Sequence, residues 1–233
     1  MDNHKPEDNL RLVLTEDGSH TLLKNDWGEP YHSLHGALQE SEHVFIRSGL
    51  EYCKPKQGII RLLEIGMGTG LNALLAWQLA EKKRISIEYW GIEPFPLSHE
   101  LAGQLNYPQI LKAEGGSTVF QNIHAALLSG EEKRIGEYFH IKVFHQDFRK
   151  VELPSQAFDC VFFDAFDPAK VPDLWTTEAF RQLYTSLMPA GILVTYSAKG
   201  LVRRNLKAAG FWVEKLPGPP GKREITRAIK QPS

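Results

Sequence analysis

The chain has 233 residues, 42% hydrophobic and 24% charged, with a formal net charge of −1 and two cysteines, Cys53 and Cys160. That length supports one α/β domain with a sizeable core and a small appendage. The charge excludes a uniformly basic nucleic-acid binder, and the cysteine count excludes a disulfide framework or a cysteine-based metal site.

The start, "MDNHKPEDNL", is polar and acidic, unlike a signal peptide. No apolar run approaches the ~18 residues of a membrane helix, so no membrane and a cytoplasmic location are expected. Charge is uneven along the chain. From Lys199 onward nine Lys/Arg face two acids, a local +7, which leaves −8 for residues 1–198. This predicts a basic face on an acidic body.

In chain order, "LRLVLTEDGSHTLLK" (10–24) sets two apolar-rich runs around Asp17-Gly18, a hairpin signal. "YHSLHGALQESEHVFIRSGLEYC" (31–53) reads as helical, with Leu34, Leu38, Val44 and Phe45 as a partial apolar face. These segments define an N-terminal hairpin and helical extension over residues 1–57. Residues 58–233 form the main domain.

There "IIRLLEI" is a strand, "GMGTG" a turn, "LNALLAWQLAEKK" a helix and "ISIEYWGIE" a strand. "PLSHELAGQL" is helical, with "YPQILKA" continuing it, and "STVFQNIHAALL" is a further helix. "EYFHIKVFHQD" and "FDCVFFDAF" are strands, "TEAFRQLYTSL" a helix, "PAGILVTYS" a strand, and "GLVRRNLKAAG" a helix closed by Gly210. "FWVEKL" and "REITRAI" are the last strands. The alternation implies a mostly parallel sheet, seven-stranded, with helices on both faces: a Rossmann-like α/β fold.

Ligands of such sheets sit beyond the carboxyl ends of the strands, at the switch point. There "LLEIGMGTGLN" brings Gly66, Gly68 and Gly70 to a sharp turn that opens a helix. Dinucleotide binders and S-adenosylmethionine enzymes share that pattern. Glu64 before the first glycine, Thr69-Gly70 followed by Leu71-Asn72, and a bulky Leu71 where a dinucleotide motif needs a small residue favour S-adenosylmethionine. Glu93 ends the second strand, 23 positions after Gly70, where it can accept both ribose hydroxyls. Asp147 ends the third strand and is expected at the adenine. Asp164 ends the fourth, next to the first across the switch point. There it can orient an amine acceptor and take its proton.

"GMGTGLN", "IEPFPL", "FFDAFDPAKVPDLWT", "GLVRRNLKAAGF" and "GKRE" together resemble the MnmC/MnmD-type tRNA methyltransferases over roughly residues 15–227. "DGSHTL", "YHS" and "GALQESEHVFI" are similar to that family's N-terminal segment. The resemblance implies S-adenosylmethionine-dependent N-methylation of the 5-aminomethyl group on the wobble uridine of tRNA, often 2-thiolated. The product would be 5-methylaminomethyl-uridine. In bifunctional relatives an FAD-dependent oxidoreductase domain follows; the chain ends at Ser233 and resembles the standalone form, so FAD is not expected. Ala165 stands where the family has Gly, Asp167 where it has Ala, and Ile225 where it has Met. Asp167 thus adds a second carboxylate that could handle the proton.

The remaining candidates concern the acceptor. Phe166 offers an aromatic wall beside Asp164, with Asp167 and Lys170 in the same loop. Arg203, Arg204, Lys222 and Arg223 could hold phosphates of an anticodon stem-loop. Tyr31 could stack on a splayed base or pack in the core. Trp175 is expected to pack below the site loop. His32 and His35 are three apart with no evident third ligand, so no metal is expected. Rival readings are a spermidine synthase-like aminopropyltransferase, a small-molecule amine methyltransferase and a non-catalytic RNA-binding module. The first would use decarboxylated S-adenosylmethionine, but its polyamine substrate has no need of a basic face. The oligomeric state is left open.

Overall fold

The computed structural model describes residues 9–53 and 58–232. Most of the polar N-terminal stretch lies outside these residues, and the expected boundary between 57 and 58 falls at their edge. The hairpin forms as expected: β1 (Leu10–Leu14) pairs antiparallel with β2 (His20–Lys24), with Leu12 opposite Leu22. Asp17 organises the turn. Its carboxylate accepts from the Ser19 N–H at 3.0 Å, the Thr15 hydroxyl at 2.8 Å and the Gln39 N–H at 2.9 Å. A short third strand, β3 (Glu29–Pro30), joins β2 and completes a small sheet.

The helical stretch expected over 31–53 is a correction. Only α1 (Ala37–Ser41) is α-helical; Glu42–Arg47 is a π-helix and Leu50–Tyr52 a 3₁₀ turn. Val44, Phe45 and Ile46 are all buried in succession. Three consecutive apolar residues spread over too wide an arc of an ordinary α-helix for one buried face, and the wider turn eases that conflict. Leu34 precedes the helix and is 46% exposed, so it belongs to no apolar face.

The main sheet is built from β4 (Ile59–Ile65), β5 (Ser86–Ile92), β6 (Lys133–Arg134), β7 (Phe139–Phe144), β8 (Phe158–Phe163), β9 (Leu187–Thr195), β10 (Trp212–Pro217) and β11 (Glu224–Ile229). Its order is β10-β11-β9-β8-β4-β5-β7-β6. It therefore has eight strands where seven were expected. The extra strand is the two-residue edge piece β6, too short and too charged to reveal alternation. β9, β8, β4, β5 and β7 run parallel, while β11 and β6 lie antiparallel to their neighbours.

Helix α2 (Leu71–Lys83) spans the expected residues. The helical stretch expected through 96–113 is instead two short helices, α3 (His99–Ala102) and α4 (Tyr107–Leu111). Between them Asn106 leaves the helical path to bond the hairpin: it accepts from the His20 N–H and donates to the Gly18 carbonyl. α5 (Gly116–Ser129), α6 (Thr177–Ser186) and α7 (Gly200–Ala208) complete the fold.

Two apolar layers sandwich the sheet. In one, Leu71 and Leu74 of α2 and Ile123 and Leu127 of α5 share a core with Leu22, Ala37 and Phe45 of the N-terminal segment. In the other, Phe180 and Leu183 of α6 and Val202 and Leu206 of α7 enclose Phe163 and Trp175. At roughly 1.5–3 kcal/mol per buried large side chain, both layers are substantial. The N-terminal segment is thus part of the main core.

Candidate active site

The parallel strands end together beneath one cavity of about 1090 Å³. Backbone bonds stitch those ends: the Gly66 N–H donates to Ile92 O, the Asp164 N–H to Ile65 O and the Glu93 N–H to Phe144 O. The end of β4 therefore lies between the ends of β5 and β8, and the chain leaves β4 toward one neighbour and returns on the other. This is the switch point.

Gly66 and Gly68 are required by local geometry. Both have positive φ, and a Cβ at Gly66 would lie 2.7 Å from the Asp164 carbonyl oxygen, one at Gly68 2.9 Å from the Tyr31 ring. Thr69 is gripped from two sides. Its hydroxyl lies 2.7 Å from His32 Nε2, and its carbonyl accepts from His124 Nε2 at 3.1 Å. Burial pushes both imidazoles down to about 4, so both are neutral at pH 7. His35 points elsewhere, to Glu16 at 3.0 Å. Among the described residues no group of His, Cys, Asp or Glu is arranged to hold a metal ion.

Glu93 Oε2 accepts from the Gly68 N–H and Oε1 from the Phe95 N–H, both at 2.9 Å. Burial raises its pKa, and the two N–H bonds pull it back. Each oxygen keeps a further acceptor site, so the carboxylate can still receive a pair of hydroxyls. Gly66, Gly68, Thr69, Glu93, Asp147 and Asp164 all line the cavity. Asp147 caps a 3₁₀ turn after β7 and is paired with Arg149, which holds its carboxyl below the usual range.

Glu64, Gly70 and Asn72, also expected at the cofactor, are absent from the cavity wall. Glu64 is fully buried; it accepts from Asn72 Nδ2 at 2.7 Å and from the Tyr89 hydroxyl. Burial pushes it up to about 7, against the pull of those two bonds.

Of the acceptor-side candidates, Tyr31, Phe166, Lys170 and Lys222 reach the cavity. Phe166 packs edge-on against Tyr31 at 4.9 Å and Trp27 at 5.2 Å, with Lys24 Nζ 4.1 Å from the centre of the Trp27 ring. Trp175 is buried below that loop, and its indole N–H donates to the Phe166 carbonyl. Asp167 lies off the cavity wall. It is bonded to Lys199 at 2.5 Å and to the Ala169 N–H, and its own N–H donates to Glu29.

The four basic candidates separate. Arg203 is built into the fold, donating to Glu224, Thr226 and the Ile225 carbonyl, with 11% of its side chain exposed. That arrangement leaves its guanidinium turned inward rather than toward a phosphate. Arg204 and Arg223 are exposed and lie off the cavity. Lys222 pairs with the buried Glu40 and sits 4.1 Å above the Tyr196 ring. Glu40, Trp27, Glu29, Phe95 and Tyr196 line the cavity without having been expected there. Glu40 and Phe95 lie within the motifs "GALQESEHVFI" and "IEPFPL" that carry the family resemblance, but neither is singled out there.

A family model described as S-adenosyl-L-methionine-dependent methyltransferase matches residues 116–231. The tRNA 5-methylaminomethyl-2-thiouridine biosynthesis bifunctional protein MnmC of Pseudomonas aeruginosa is 30% identical over 90% of this chain and 33% of its own length. That of Stutzerimonas stutzeri is 30% identical over 100% of this chain and 37% of its own. The chain thus spans about a third of the length of these curated relatives. The crystal structure of MnmC2 from Aquifex aeolicus matches with a TM-score of 0.74 and 31% identity, covering 96% of this chain and 71% of that one. Spermidine synthase from Thermotoga maritima matches with a TM-score of 0.57 and 12% identity over 96% and 69%, a likeness of fold alone. With the glycine turn, the strand-end acids and the MnmC2 match in agreement, the chain belongs to the MnmC2-type family of S-adenosyl-L-methionine-dependent methyltransferases.

Proposed function

We propose that the protein methylates the primary amine of a 5-aminomethyl group on the wobble uridine of tRNA, 2-thiolated or not, to give 5-methylaminomethyl-(2-thio)uridine. The observation that carries this reading is that Asp164 and Glu93 open into one cavity, with an aromatic wall on the acceptor side. At about 1090 Å³ the cavity lies just above the usual small-molecule range, enough for a methyl donor and a nucleobase together. The curated relatives' names supply the tRNA product.

The residues fit S-adenosylmethionine, which supplies a methyl group on a positively charged sulfur. Gly66 and Gly68 allow close backbone approach, Glu93 receives the ribose hydroxyls, and Asp147 lies at the adenine end. Asp164 orients the acceptor amine and takes the proton it loses. Burial, then the nearby Glu64 and Glu40, keep the Asp164 carboxyl well above the usual range, which makes its carboxylate a stronger base. Asp167, occupied by Lys199, is the weaker candidate. Tyr31 and Phe166 hold the base, Lys170 and Lys222 contact the acceptor, and the exposed Arg204 and Arg223 contact phosphates of the anticodon stem-loop in the cytoplasm. No metal or FAD is required for this transfer.

The test is incubation with S-adenosylmethionine and tRNA from a strain lacking the modification, followed by digestion and mass analysis of nucleosides. A wobble nucleoside heavier by one methylene is expected. Unchanged tRNA, together with aminopropyl transfer from decarboxylated donor to a free polyamine, would overturn the reading.

A further inference from the structure

Glu64 occupies the position before the glycine turn where an acid would be expected to face the methyl donor, yet it is fully buried and off the cavity wall. Its contacts lead elsewhere. Asn72 Nδ2 donates to Glu64 Oε1 at 2.7 Å and to Asp164 Oδ2 at 2.9 Å. The two protons of one amide nitrogen therefore join a carboxyl in the core to the carboxyl on the cavity wall. The other Glu64 oxygen accepts from the Tyr89 hydroxyl, so Glu64 cannot turn away. Asn72 Oδ1 is buried and has no hydrogen-bond partner among the described residues. An amide that leaves its carbonyl unbonded is held in place by what its NH₂ group does.

We propose that Glu64 is a positioning residue for Asp164: acting through the Asn72 amide it sets the direction of the Asp164 carboxyl, and it makes no contact with the methyl donor. The proposal rests on the amine-methylation reading above. The backbone of Asp164 is already fixed by its N–H bond to Ile65 O, where β8 leaves the sheet beside β4. Its side chain is fixed by Asn72. Lys222, the cation that lowers its pKa, is itself paired with Glu40.

The charges around Asp164 give the proposal a sign. Burial first, then Glu64 on β4 and Glu40 on α1, raise its pKa; Asn72 on α2 and Lys222 in the β10–β11 turn lower it. Tyr196 after β9 and Tyr89 on β5 also sense it, and both stay protonated because burial pushes them well up. Glu93 acts on Glu64 in turn. Where Glu64 is ionised, replacing it by Gln removes a negative neighbour, so the Asp164 pKa should fall there. Replacing Asn72 by Ala removes a bond to the charged form, so it should rise.

The test uses Glu64→Gln and Asn72→Ala in the full chain, with Asp164 protonation read from its carboxyl infrared band, assigned by its loss in Asp164→Asn. The band midpoint should move to lower pH in Glu64→Gln and to higher pH in Asn72→Ala, and the acid limb of kcat should follow. Plateau kcat should fall about 10- to 100-fold in each through misorientation. S-adenosylmethionine affinity, by calorimetry, should stay within about threefold, as for substitutions that touch no ligand. Loss of donor affinity with an unmoved midpoint overturns the proposal. If Glu64→Gln fails to fold, the Asn72→Ala midpoint and affinity decide alone. Wild-type protein that leaves tRNA unmodified defeats the substrate reading, while the infrared and calorimetric results still decide the role of Glu64.

Discussion

The two halves of the cavity are built differently. The proposed donor half comes from short pieces of chain, the ends of β4, β5 and β7 and the turns that follow them. The acceptor half is assembled from distant segments: Trp27, Glu29 and Tyr31 from the N-terminal sheet, Phe166 after β8, Tyr196 after β9 and Lys222 between β10 and β11. A strand-end turn carries its own reasons for its conformation. A wall assembled from distant segments depends on how the whole molecule packs. The donor half can therefore persist across a broad fold class, while the acceptor half can change with the segments that frame it.

Asp164 stands where the halves meet, and its substitution should have the largest effect. Asp164→Asn keeps shape and one acceptor but loses the charge. It should lower kcat by about 10²–10⁴-fold, with donor affinity changed modestly and thermal melting retained. Steady-state kinetics on unmodified tRNA check this. Near-normal turnover in Asp164→Asn with loss of activity in Asp167→Ala would move the chemistry to the other acid.

On the donor side alone, Glu93→Ala removes the proposed acceptor for the ribose hydroxyls and the partner of the Gly68 N–H. Donor affinity should weaken by about 1.5–3 kcal/mol, as for a charge-assisted bond removed. Calorimetry checks it, and unchanged affinity would break the assignment of this half.

On the acceptor side alone, Phe166→Ala opens the packing among Trp27, Tyr31 and the loop after β8. Base stacking on aromatic rings is worth about 1–3 kcal/mol per base, so the tRNA KM should rise accordingly while donor affinity stays constant. Equal losses on both sides would erase the distinction between the halves.

The smallest effect is expected farthest from the chemistry. Arg204→Glu with Arg223→Glu should make the slope of log affinity for tRNA against log salt shallower, by about one for each phosphate that is no longer neutralised, and leave kcat alone. Filter binding across a salt series measures it. Arg203→Glu should instead lower the melting temperature, because Arg203 is tied to Glu224, Thr226 and Ile225.

Much of the fold is legible in the sequence because its signals are local. The extent of α2, the Asp17-Gly18 hairpin and the strand ahead of Gly66 follow from periodicity, turn residues and apolar runs. The segment 31–53 departs from its helical expectation because its composition is helical but its burial is not amphipathic: Val44, Phe45 and Ile46 all turn inward. The helical stretch expected at 96–113 is broken where Asn106 serves the hairpin, a partner no local pattern reveals. The eighth strand leaves no trace in the sequence because two charged residues at an edge carry no pattern.

The sequence by itself determined the alternation of the main strands and helices from β4 onward, the glycine turn and the acids that follow β5 and β8, since each depends on neighbours a few residues away. Tertiary structure alone decided what each polar group does. It turned Glu64 away from the cavity toward Asn72 and Tyr89, joined Asn72 to Asp164 across 92 positions and Glu29 to the Asp167 N–H across 138, set Lys222 on Glu40, and withdrew Arg203 into the sheet. The physical reason is that a buried polar group must find a partner wherever the fold brings one, because leaving it unpaired is costly. Partner choice is therefore a property of the packed molecule and is invisible along the chain.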